Sequence, residues 1–121
     1  MIDKLKQYSE AWAGFVEWII DKGYKTDKYF IYATVDGIDG LNYIISDYEL
    51  YGLAIEWLES KKIKMSIRYY PLSDKYDFLV YEMLGISFEY YQSKEKFIRS
   101  SEATKAGIIK GFEILNNQKE K

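Results

Sequence analysis

Between Ile2 and Lys22 the apolar residues Leu5, Tyr8, Trp12, Phe15, Val16 and Ile19 recur at steps of three and four, which makes one stripe along a helix. Gly23, just behind Asp21 and Lys22, supplies a stop. Trp18 falls about 110° from the centre of that stripe at roughly 100° per residue, beside Ala11 and Gly14. It is either a second contact inside the domain or an exposed anchor for another protein. Tyr29–Val35 has strand composition, and Asp36-Gly37-Ile38-Asp39-Gly40 reads as a turn that lacks a full calcium-ligand set.

Ser46-Asp47-Tyr48-Glu49 is a capping box, in which the hydroxyl and the carboxylate each satisfy a free amide of the helix start. The helix it opens carries Leu50, Leu53, Ala54, Trp57 and Leu58 on one face and ends near Lys61 and Lys62. Three strands follow. Ile63, Met65, Ile67 and Tyr69 alternate with Lys64, Ser66, Arg68 and Tyr70, the period of a half-buried strand. Pro71–Lys75 is a loop, Tyr76–Leu84 a second strand with apolar residues on both faces, and Gly85 breaks it. In the third, Ile86, Phe88 and Tyr90 alternate with Ser87, Glu89 and Tyr91.

A last helix runs from about Ser101 to Asn116, with Ile108, Ile109, Phe112 and Leu115 facing the core. Ala103, Gly107 and Gly111 stand four apart, a spacing that lets another backbone or sheet approach closely. The pattern therefore predicts one α+β domain over residues 1–121: an N-terminal helix over 1–22, a short strand region, then an α-β-β-β-α core over 46–116. Its sheet is three-stranded, antiparallel and packed by helices.

Composition narrows the chemistry. A chain of 121 residues with 48% hydrophobic and 30% charged residues suits one globular core. It contains neither Cys nor His, so disulfides, thiolate nucleophiles, imidazole-based triads and ordinary zinc sites are excluded. No cofactor is expected, and binding is favoured over catalysis. No apolar run reaches the roughly 20 residues of a membrane helix, and Met1–Lys6 lacks the apolar centre of a secretory signal. The expected location is the cytoplasm, that of a bacterial host for a phage-borne protein. Residues 1–62 hold seven Lys/Arg against eleven Asp/Glu, and residues 63–121 hold ten against eight. The excess of base in the second half orients a partner without naming one. Thirteen tyrosines add side chains able to sit half-buried and still serve an interface.

Three phrases carry a resemblance: Leu53–Leu58, Tyr69–Phe78, and Ser100–Ala103 leading into Phe112–Leu115. Together they resemble small orphan accessory proteins of Bacteroidetes phages and prophages, a size class that includes anti-CRISPR inhibitors of host defence. The resemblance implies a phage genomic setting, and together with the tyrosine-rich surface it leads to the expectation of a protein-contact inhibitor of a host protein of the class of an RNA-guided nuclease or its ribonucleoprotein. The order helix, three strands, helix is in turn similar to double-stranded-RNA-binding domains, and Ser101–Gly107 resembles the start of their last helix. That family grips phosphates there with adjacent lysines. This chain has Ser101 and Glu102 in their place and keeps Lys105.

With Ile63, Met65 and Ile67 turned towards the helices, the opposite sheet face is expected to carry Lys64, Arg68 and Tyr70. Leu79, Tyr81 and Met83 join it from the second strand, and Glu89 and Tyr91 from the third. Lys64, Arg68, Tyr70, Leu79, Tyr81 and Tyr91, with Trp18 apart from them, are the candidate partner-binding residues. The first helix either covers this face or leaves it open for a partner. RNA binding by the basic second half is the alternative, as is a structural role without inhibition. An enzyme built on Glu82 and Glu89 would need a deep pocket holding both. The oligomeric state is left open between monomer and homodimer.

Overall fold

The computed structural model describes residues 2–21 and 47–119. The strand expected at Tyr29–Val35, the turn at Asp36–Gly40 and the cap at Ser46 lie outside the described residues. Among the described residues four helices and three strands follow one another: α1 (Ile2–Lys6), α2 (Ser9–Asp21), α3 (Asp47–Ser60), β1 (Ile63–Tyr70), β2 (Lys75–Leu84), β3 (Ser87–Gln92) and α4 (Ser100–Lys119). The fold is α+β, with an antiparallel sheet in the order β1-β2-β3.

The single N-terminal helix expected over 1–22 is two helices, broken at Gln7 and Tyr8. Tyr8 closes α1 by donating its amide to the Leu5 carbonyl, and its own carbonyl accepts the Trp12 amide, the first bond of α2. Tyr8 therefore stands at the cap position of α2, where a short polar side chain normally accepts the second or third helical amide. A phenol cannot reach back to do this. Asn116 of α4 does it instead: its Oδ1 accepts the amides of Glu10 at 2.9 Å and Ala11 at 3.3 Å. The cap of the second helix is lent by the last one, more than a hundred residues away.

α3 and α4 pack on one face of the sheet, and α2 packs on α3 and α4. The layers thus run sheet, α3 with α4, then α1 with α2. The covering of the sheet's other face by the first helix does not occur. The reason is that α4 is apolar around most of its circumference, with Ile108, Phe112, Ile114 and Leu115 all buried, and such a helix needs neighbours on two sides. Phe15, Trp57 and Phe112 meet where α2, α3 and α4 converge, with ring centroids 5.1–5.4 Å apart. All three are fully buried. Aromatic pairs at such separations contribute about 0.5–1.5 kcal/mol each beyond the area they bury.

The glycines of α4 permit this closeness. A Cβ on Gly107 would stand 2.5 Å from Met65 Cε of β1, and one on Gly111 would stand 2.7 Å from Leu58 Cδ1 of α3. Gly107 seats the helix on the sheet and Gly111 seats it on its neighbour. At the other end of the sheet Gly85, at φ +74°, makes the first central position of a two-residue turn that pairs Leu84 with Ser87.

Candidate functional site

The register decides what the open sheet face presents. Residues directly opposite one another in an antiparallel ladder share a face. Lys64 pairs with Tyr81, Ser66 with Leu79, Arg68 with Asp77 and Tyr70 with Lys75. Tyr81 pairs in turn with Tyr90, Met83 with Phe88, and Leu79 with Gln92. The side turned from the helices therefore carries Lys64, Arg68, Tyr70, Leu79, Tyr81, Met83, Phe88 and Tyr90. Towards the β2–β3 turn it is aromatic and apolar: Met83 is 39% exposed, Phe88 55% and Tyr90 63%, and Ile86 at the tip is fully exposed. Tyr81 and Phe88 touch edge to face at 5.8 Å.

Its other half is a polar cluster built on Asp77, which is only 1% exposed. Arg68 grips that carboxylate with both ends of its fork, Nε to Oδ1 at 2.8 Å and Nη2 to Oδ2 at 2.7 Å. Tyr70 donates its hydroxyl to Oδ2 at 2.8 Å, and Gln92 donates its amide at 3.3 Å. Bidentate, charge-assisted bonds of this kind fix orientation as well as adding energy. The Arg68 guanidinium, backed by the Tyr70 and Gln92 donors, holds the Asp77 carboxyl below its ordinary pKa against the opposing effect of burial. Lys96 lies over the Tyr70 ring at 4.1 Å, so a second cation flanks the cluster.

No protein-family model matches this chain, and comparisons with curated proteins and with solved structures find no match either. The site's meaning rests on its own geometry.

Of the expected interface residues, Lys64, Arg68, Tyr70, Leu79 and Tyr81 share the open face. Arg68 and Tyr70 do so with their polar ends turned inward onto Asp77, a residue the alternation pattern did not single out. Tyr91 and Glu89 are corrections. Both sit on the helix side, because Gly85 and Ile86 make a two-residue turn that sets Phe88 against Met83 and Tyr90 against Tyr81. Phe88 and Tyr90 take their places on the open face. The signal was ambiguous in the sequence because Tyr90 and Tyr91 are identical neighbours. Trp18 is half-buried, packed against the core and stacked on Phe15 at 6.4 Å. It lies in the helical layers, apart from the sheet face.

A second feature lies on the helix side. α4 rests over β1 and β2. Beside β3 a cleft of about 360 Å³ opens between the sheet and the C-terminal half of α4. Glu82 and Glu89, directly opposed across the ladder, both receive the Tyr91 hydroxyl, at 3.2 and 3.3 Å. Gln118 donates to the other oxygen of Glu82. Lys110 pairs with Glu113 at 3.3 Å and lies over the Tyr91 ring at 5.1 Å. Burial and the two carboxylates push the Tyr91 phenol above its ordinary pKa. Glu82 and Glu89 do share one cavity, the arrangement carboxylate chemistry would require, but the phenol hydroxyl lies between them. Among the described residues no group of three acidic side chains is placed to hold a metal ion, and no helix is long and apolar enough to cross a membrane.

Proposed function

We propose that this chain is a non-catalytic binding protein of the phage or prophage accessory kind. In this reading it inhibits a host defence nuclease, of the RNA-guided class, by seating the open sheet face on it. The observation that carries the reading is the contiguous row of half-buried Tyr81 with exposed Met83, Phe88 and Tyr90, continued at the tip by Ile86. Exposed patches of this kind mark contacts. Aromatics, Met and Arg are also the residues enriched where protein interfaces are fully desolvated. Arg68, held rigid by Asp77, borders the row as a fixed cation and loses little freedom on docking. The choice of a defence nuclease as partner rests on the resemblance of Leu53–Leu58, Tyr69–Phe78 and Ser100–Ala103 to phage accessory proteins.

The test is target cleavage by purified RNA-guided ribonucleoproteins from a Bacteroidetes host, with and without the chain. Wild-type protein is expected to suppress cleavage by one of them. Phe88→Glu, which puts a charge in the apolar row, is expected to abolish suppression, and Glu17→Lys on the distant α2 surface to preserve it. Suppression that survives Phe88→Glu, or none with any effector, defeats the proposal.

RNA binding is the second reading. It has in its favour the helix, three strands, helix order and the gathering of Lys64, Arg68 and Lys75 on a face where Asp77 is the one acidic strand residue. Its signature is RNA affinity falling steeply with salt, as released counterions require. A flat salt response counts against it.

A further inference from the structure

Among the described residues β3 is an edge strand, and its outer side follows from the ladder. The Ser93 amide donates to the Phe78 carbonyl at 3.1 Å, in register with the pairing of Tyr91 to Val80 and Glu89 to Glu82. Alternate residues of an antiparallel strand point their backbone groups the same way. Glu89 and Tyr91 are therefore bonded into the sheet, and Phe88, Tyr90 and Gln92 point their amides and carbonyls outward.

Edge strands are normally blunted by Lys, Pro, a bulge or a covering helix. β1 follows that pattern, with Lys64 and Arg68 along it, Lys61 and Lys62 just ahead of it, and α3 packed against it. β3, Ser-Phe-Glu-Tyr-Tyr-Gln, has no Lys and no Pro, and it is exposed along nearly its whole length.

A fourth strand added here would lie about 4.8 Å beyond β3. Its helix-side side chains would stand next to Glu89 and Tyr91, at the mouth of the cleft. The cleft's own lysine, Lys110, is paired with Glu113 and leaves Glu82 and Glu89 to each other. Tyr91 has one hydroxyl proton for two carboxylates, and among the described residues neither Glu82 nor Glu89 has an ion-pair partner. Like charges directly opposed across a ladder destabilise it. Leu84 and Ile114 supply an apolar wall, which suits the aliphatic stem of a lysine or arginine.

We propose that β3 and the cleft beside it form a strand-addition groove. It takes an extended segment of a partner protein that places a lysine or arginine opposite Glu89. Main-chain bonds to Phe88, Tyr90 and Gln92 supply sequence-independent affinity, and the Glu82–Glu89 pair supplies selectivity. The groove uses the backbone of Phe88 and Tyr90, whose side chains belong to the aromatic row of the open face, whereas its charge preference comes from Glu82 and Glu89 on the helix side.

The probe is a nine-residue synthetic peptide alternating valine and threonine around a central arginine, with a central-glutamate version as its control. The readout is amide hydrogen exchange in the full chain, with binding followed by titration. The arginine peptide is expected to protect the Phe88, Tyr90 and Gln92 amides and to bind at least about tenfold tighter than the glutamate peptide, the scale of one charge-assisted contact. Glu82→Gln with Glu89→Gln erases that preference. Tyr90→Pro, which removes an outward amide at a position where an edge strand tolerates proline, abolishes binding. Tyr90→Ala keeps the amide and retains it. If Tyr90→Pro does not fold, the exchange pattern of the wild-type chain decides.

Unchanged exchange at those three amides overturns the proposal, as does binding that perturbs only Leu79, Tyr81 and Met83. Amides already protected in the free chain also overturn it: in a monomer the chain fills its own edge, and in a dimer a second copy fills it.

Discussion

Replacing Asn116 with alanine removes the oxygen that accepts the Glu10 and Ala11 amides at the start of α2. The two losses are unequal. Glu10 is exposed, so water can take over its amide, and that loss lies near the low end of a cap substitution, about 0.5 kcal/mol. Ala11 is fully buried. An unpartnered amide there costs about 1–3 kcal/mol. The sum is about 2 kcal/mol, which for a chain of this size is a fall in Tm of about 8 °C. Thermal melts followed by far-ultraviolet circular dichroism measure it directly. Tyr8→Asn offers a local cap in place of the borrowed one, and in the Asn116→Ala background it is expected to recover part of the loss. Combined with intact Asn116 it adds nothing, since the amides are already satisfied. A fall in Tm below about 2 °C, or no recovery by Tyr8→Asn, would refute the reasoning.

Gly111→Ala sets two effects against each other: alanine gains about 1 kcal/mol of helix propensity, and its Cβ meets Leu58 Cδ1 at 2.7 Å. Leu58 is buried and cannot move aside, so overpacking of about 1–3 kcal/mol wins. Urea unfolding should show a net loss near 1 kcal/mol, and a gain would mean that α4 slides freely on α3. The Asp77 carboxyl, held below its ordinary pKa by Arg68, contributes stability that is present above the unfolded value and lost as pH falls through the folded one. Urea midpoints should therefore drop more between about pH 5 and pH 3 for wild type than for Asp77→Asn. Parallel acid limbs would show that the cluster adds nothing on folding.

Local pattern was enough to place most elements. Alternation in Ile63–Tyr70 assigned Lys64, Arg68 and Tyr70 to the side away from the helices, because polar and apolar residues alternate from Ile63 to Arg68 and that phase carries Tyr70 with it. Spaced leucines and Trp57 marked α3, and the small residues Gly107 and Gly111 announced a close approach. Where both faces of a strand are apolar, period two carries no direction. Tyr90 and Tyr91 have the same side chain, and only the two-residue turn at Gly85 and Ile86, read together with the β2 ladder, says which one faces out.

Three matters belonged to the tertiary structure alone. Asn116 caps a helix more than a hundred residues away, so nothing near Tyr8 reveals why the N-terminal stripe breaks there. Asp77 looks like a solvated strand charge until Arg68 and Tyr70 of β1 and Gln92 of β3 close over it from the two flanking strands. The amphipathic N-terminal stripe can pack on any apolar surface, and it took the helices because α4 has an apolar flank left over after the sheet is served. Periodicity states which side of an element avoids water. Which surface receives that side depends on contacts between residues far apart in the chain, and these exist only once the chain has closed on itself.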